Sequence, residues 1–242
     1  MSNEQIKKLY QNFFEDFGID PVSGELRNCP PDKKLRFATM PYIGSNYFSA
    51  KKKILFIGMD IGKDEKDKEK RYHSLEDRNK LVDGNGGECG YNPHIAGTYC
   101  TALYLLKDEY GWEEFWKKFS EYDTYIQATK VKQHNDGENP LYFVALTNLF
   151  KFVTIDREKR TGDENRVWIN EEKEKKLLFD EIEILNPDII FVQSDKFIRD
   201  IKNIIKDKNR EIIVAPHPSY YNVKGGKNPK VYLSRWTPKV EL

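Results

Sequence analysis

The chain has 242 residues, enough for one large domain with its own core or for two small ones. Its 40 Lys and Arg against 39 Asp and Glu leave a formal net charge of +1, which excludes the global basic field behind tight non-specific nucleic-acid binding. Three cysteines without a CxxC pair argue against a disulfide framework, a zinc knuckle or an iron–sulfur cluster, and no stretch nears the roughly 18 apolar residues of a membrane span.

The elements follow in order. Ile6, Leu9, Tyr10, Phe13, Phe14 and Phe17 recur at helical spacing and predict an amphipathic helix within residues 1–20. A loop is expected next, with "CPPDKK" and "MPYIGSNY" as breakers. "KKILFIGMD" predicts a buried strand ending near Gly58. The charged run 63–80 reads as a solvated helix or an insertion, which could also line a pocket, and "DGNGGECGYNP" as a glycine-rich loop. "HIAGTYCTALYLLKDEYG" and "WEEFWKKFSEY" read as consecutive helices broken near Gly111. "LYFVALTN" is a second strand, followed by a polar excursion over 154–170. The helix "INEEKEKKLLFDEIEILNP" stops at Asn186-Pro187. A third strand, "DIIFVQS", a helix, "DKFIRDIKNIIK", and a fourth strand, "EIIVA", complete the pattern.

Short aliphatic runs without alternation, interleaved with helices, mark a parallel sheet covered on both faces. The expectation is therefore a single three-layer α/β/α domain over 1–242, with about four central parallel strands. The N-terminal helix and the segments 63–80 and 154–170 are embellishments on it.

In open parallel sheets, ligands bind outside the carboxyl ends of the strands. Here those ends are "GMDIG" with Asp60, "TNL" with Asn148, "QS", and "PHPS" with His217. Pro216 and Pro218 remove backbone donors and fix φ, so His217 sits on a stiff corner. Each residue also has a structural reading: Asp60 as a helix cap, Asn148 as a turn residue, His217 as a hydrogen-bonded core histidine. The sheet's geometry gathers all three on one rim, which gives the set more weight than its members.

At these residues the chain resembles the uracil-DNA glycosylase superfamily. "GMDIG" is similar to the first motif, "ALTNLFK" to the strand-plus-asparagine motif that reads the base, and "HPS" to the second catalytic motif, in the same order across residues 50–222. The resemblance implies a DNA glycosylase acting on a flipped-out nucleotide. It makes Asp60 the carboxylate that stabilises the sugar cation and activates water, and His217 the donor to the departing base. Asn148 reads the base edge, His94 stacks near it, and Met59 and Gly62 flank the pocket.

Tyr221, two positions beyond the HPS motif, takes the place of the wedge, with Tyr220 beside it. Ser219, Lys224 and Lys227 clamp phosphates. The segment 222–242 carries five basic residues against Glu241, a local basic patch suited to this. Gly62 stands where the uracil-specific branch has a gating tyrosine, so a bulkier pyrimidine can enter. A damaged or modified base is expected, and a hypermodified base in foreign DNA would fit. No lysine replaces Asp60 to form a Schiff base, so lyase chemistry is not expected.

The expected partner is DNA, single- or double-stranded, with no cofactor and no membrane, and the chain is expected to act as a cytoplasmic monomer. Two rivals remain: a hydrolase of free nucleosides or nucleotides, and a non-catalytic nucleic-acid-binding member of the same fold.

Overall fold

A computed structural model describes residues 3–27, 35–37, 39–58, 74–86, 93–123, 139–154, 168–194, 196, 198–205, 210–218, 228–234 and 236. Among them, seven strands form two sheets: β1 (Leu35–Phe37), β2 (Tyr42–Ile43), β3 (Ile54–Gly58), β4 (Val144–Asn148), β5 (Phe152–Thr154), β6 (Ile189–Val192) and β7 (Glu211–Val214). The main sheet has five strands in the order β2-β4-β3-β6-β7. Four of them are parallel, as expected, and the fifth, β2, runs antiparallel to β4 at one edge. The two-residue β2 and the three-residue β1, which pairs with β5, fall in a stretch expected to be loop. Strands this short show no period in sequence, and only their partners make them strands.

The helices are α1 (Asn3–Phe17), α2 (Leu75–Gly86), α3 (Pro93–Tyr110), α4 (Glu113–Ser120), α5 (Glu171–Leu185), α6 (Ile198–Ile204) and α7 (Pro229–Leu233). Their ends follow local chemistry. Gly111, at φ 71°, ends α3 in the left-handed region that glycine enters freely. Asn170 caps α5 by accepting from the Lys173 amide, and Asn186, at φ 45°, closes the same helix before Pro187.

Two apolar cores lie on opposite faces of the sheet. One packs Ile43, Leu55, Ile57, Ala145, Ile190 and Val192 against α1, α5 and α6. The other packs Tyr42, Phe56, Val144, Leu146 and Phe191 against α3, α4 and α7. The N-terminal helix belongs to the first core through Ile6, Tyr10, Phe13 and Phe14, so it forms part of a layer. Helix α2 occupies residues expected to be a solvated run and a glycine loop. Leu75 reaches one core and Val82 the other, so its burial is set by the edge of the sheet and not by amphipathic periodicity. Strand β7 is only partly buried, because it is the outer strand and Glu211 is exposed. No helix among the described residues is long and apolar enough to cross a membrane.

Candidate active site

The register of the sheet lines up its carboxyl ends. Gly58 pairs with Asn148, and Val192 lies opposite Ile57, so Gln193 follows beside Gly58. The Gln193 amide donates to the Ile57 carbonyl at 3.0 Å, and the Ala215 amide donates to that of Val192 at 3.0 Å. Side chains alternate between faces along each strand. Phe56, Leu146, Phe191 and Ala215 all enter the core under α3. Asn148, Gly58 and Gln193 therefore emerge on that same face, one pleat further on, with His217 two residues beyond Ala215.

Helix α3 meets this row with its first turn. His94 Nε2 lies 2.6 Å from Gln193 Oε1. Gln193 Nε2 donates to Thr98 Oγ1 at 2.8 Å, and Thr98 Oγ1 donates to the His94 carbonyl at 2.9 Å. With the amide oxygen facing His94, the chain of bonds is consistent only when Nε2 carries the proton and donates. Burial, followed by the proximity of His217, pushes the His94 pKa down to about 3, against the opposing hydrogen bond to Gln193. His94 is thus a neutral imidazole at pH 7.

The His94 and His217 rings stack, with centroids 5.1 Å apart and planes 15° from parallel. A cation on either ring raises the cost of a second on the other. Two glycines make this packing possible. A Cβ on Gly58 would stand 3.1 Å from Asn148 Oδ1 and 3.7 Å from both Gln193 Oε1 and His94 Nε2. A Cβ on Gly97 would fall 2.3 Å from Pro218 Cβ, so Gly97 is the seat on which the Pro-His-Pro corner rests against α3.

Behind the row, on the opposite face of β4, lies a buried polar cluster. Lys151 Nζ donates to Thr147 Oγ1 at 2.7 Å and to Tyr10 OH at 3.0 Å, and it pairs with Glu181 Oε2 at 2.7 Å. Tyr10 OH donates to the same carboxylate oxygen at 3.0 Å. Lys151 is 1% exposed and Glu181 is fully buried. This cluster clamps the residue before Asn148 and the turn after it.

Of the residues expected at the site, the structure brings together Asn148, His94 and His217. Asp60, Met59, Gly62, Ser219, Tyr220, Tyr221, Lys224 and Lys227 lie outside the described residues. His94, expected to stack near the target base, has one ring face against His217. Gln193 is not among the residues that the sequence assigns to the site. Its signal was its position: it ends the third strand as Gly58 and Asn148 end the first and second. No group of three or more His, Cys, Asp or Glu among the described residues could hold a metal ion.

No curated protein and no solved structure matches the chain. The model of the Uracil DNA glycosylase superfamily does match, over residues 45–238. That span runs from before β3 to beyond α7 and takes in every strand end of this rim, and so the chain belongs to that superfamily.

Proposed function

We propose that the protein is a monofunctional DNA glycosylase that hydrolyses the N-glycosidic bond of a flipped-out damaged or modified pyrimidine and leaves an abasic site. The observation that carries this reading is the meeting of His217, His94, Asn148 and Gln193 at the carboxyl edge of β3, β4, β6 and β7, in a member of this superfamily.

In the reaction the C1′–N bond breaks and its electron pair leaves with the base. Water adds its oxygen to C1′ and gives up a proton. Asp60 is assigned to the sugar side, where a carboxylate stabilises the developing cation and takes that proton. His217 is assigned to the base side, donating to the pyrimidine oxygen that gathers negative charge; one donor of this kind is worth about 3 kcal/mol. Neutral His94 suits the arrangement, since it places no second positive charge against His217. The Asn148 amide, which offers both a donor and an acceptor, reads the edge of the base. Gly62 supports entry of a base larger than uracil. Tyr220 and Tyr221 are the wedge, with Ser219, Lys224 and Lys227 on the phosphates.

The test is a panel of end-labelled oligonucleotides, single- and double-stranded, carrying uracil, hypoxanthine, 5-hydroxymethylcytosine or its glucosylated form, each treated with alkali after incubation. A strand break on one of them, reduced by a large factor in Asp60→Asn and His217→Ala, is the expected result. Binding to DNA with no break on any member of the panel would favour a non-catalytic role. Full activity in both variants would remove the two residues from the mechanism.

A further inference from the structure

Three hydrogen bonds close a circuit on His94. Its ring Nε2 donates to Gln193 Oε1 at 2.6 Å, Gln193 Nε2 donates to Thr98 Oγ1 at 2.8 Å, and Thr98 Oγ1 donates to the His94 carbonyl at 2.9 Å. The circuit runs in one direction. A threonine hydroxyl carries a single proton, and here that proton lies toward the carbonyl one helical turn back, so toward Gln193 the hydroxyl only accepts. This turns the Gln193 NH2 toward Thr98 and its oxygen toward His94. Thr98 is fully buried and Gln193 is 1% exposed, so these bonds are shielded from bulk water.

The circuit lies on the rim to which the reaction is assigned. A Cβ on Gly58 would stand 3.7 Å from both Gln193 Oε1 and His94 Nε2, and 3.1 Å from Asn148 Oδ1. The His94 ring that Gln193 holds is the one stacked on His217, with centroids 5.1 Å apart.

We propose that Gln193, itself oriented by Thr98, is a positioning residue: it fixes the plane of the His94 ring and the nitrogen that carries its proton, and through that ring it aims His217. An amide suits this task better than a carboxylate. Both accept from an imidazole N–H, but a carboxylate would also draw a second proton onto His94. The resulting cation would be opposed by His217 across the stack and by the charge of Arg78 on α2, the two groups among the described residues whose charge acts on His94. The uncharged amide orients the ring without adding a cation beside His217. The inference rests on the reading of His217 as the group that acts on the base, but its first test does not need turnover.

That test compares the histidine resonances of labelled wild type with those of Gln193→Leu, Gln193→Glu, Thr98→Val and Thr98→Ser. In wild type the His94 ring should carry one proton, on Nε2, between about pH 5 and pH 8. Gln193→Leu and Thr98→Val should each move the His94 Nε2–H resonance and the ring resonances of His217. Thr98→Ser, which keeps the hydroxyl, should leave both in place. Gln193→Glu should bring a second proton onto His94 within that pH range. On whichever oligonucleotide is cleaved, Gln193→Leu and Thr98→Val should lower kcat by about 10- to 100-fold with KM little changed, and Thr98→Ser should keep it near wild type. In Gln193→Glu, kcat should fall with decreasing pH through a step that wild type lacks, as His94 takes up its proton.

His217 resonances unmoved in both Gln193→Leu and Thr98→Val overturn the inference, whether or not the chain cleaves DNA. So does wild-type kcat in either variant, or a loss in Thr98→Ser as large as that in Thr98→Val. Thr98→Val exchanges a hydroxyl for a methyl group and serves if Gln193→Leu does not fold. Moved resonances in a chain that cleaves none of the oligonucleotides would leave Gln193 its positioning role and count against the glycosylase reading alone.

Discussion

Gly97→Ala adds a single methyl group at the seat of the Pro-His-Pro corner. The new Cβ would lie 2.3 Å from Pro218 Cβ and 3.0 Å from Pro218 Cγ. Carbon–carbon contact is comfortable only from about 3.5 Å, so helix and corner must separate by roughly 1.2 Å. Proline cannot rotate out of the way, because its ring is part of the backbone. The displacement therefore passes to His217, the next residue back.

Overpacking of this kind costs about 1–3 kcal/mol, and replacing a mid-helix glycine by alanine returns about 0.5–1 kcal/mol. The variant should therefore stay folded, with Tm lowered by no more than about 8 °C for a chain of this size. Catalysis should suffer far more, since a misplacement of about 1 Å can cost on the order of 100-fold. The assay is kcat/KM on whichever oligonucleotide is cleaved, together with the histidine side-chain resonances of labelled protein, which report the His94–His217 stack without turnover. Wild-type kcat/KM with unshifted histidine resonances would show that the corner does not depend on Gly97.

Other outcomes follow from the same geometry. Lys151→Met should lower stability by about 3–5 kcal/mol, because it strands the Glu181 carboxylate in the core, and Lys151→Met combined with Glu181→Leu should recover most of that in denaturant titrations; equal losses in the single and double variants would contradict the pairing. Tyr10→Phe removes one of the two groups that donate to Glu181 Oε2 and should cost about 1–3 kcal/mol in the same titrations. Burial raises the Glu174 carboxyl to about 7 in the folded protein, so it holds a proton there that the unfolded chain releases above about 4.5. Its contribution to stability is full below the unfolded value and is lost as pH rises through about 7, so the Tm of Glu174→Gln should gain on wild type between pH 5 and pH 8. His94 works in the other direction: its folded pKa lies below its unfolded value of 6.5, so its neutral state favours folding less and less as pH falls from about 6.5 towards 3. Replacing His94 with Gln should flatten that acid limb of the Tm profile.

The four parallel strands, their order along the chain, and the helices that close at Gly111 and Asn186 were legible in sequence, because buried aliphatic runs and left-handed caps are local signals. Local signals also place Asn148 and His217 at strand ends. The strands β1 and β2 and the inner face of α2 were not legible. Two or three residues carry no period, and Arg78 looks like one more charge in a charged run although the fold buries it. Which residues meet across the sheet depends on register and on helix packing, contacts between segments far apart in sequence. The stack of His94 on His217, the bond from His94 to Gln193, and the need for glycine at 58 and 97 are contacts of this kind. Sequence alone thus determined the chemistry available at the rim, while the tertiary structure decided which groups touch, because pairing register and side-chain direction fix distances that no local pattern encodes.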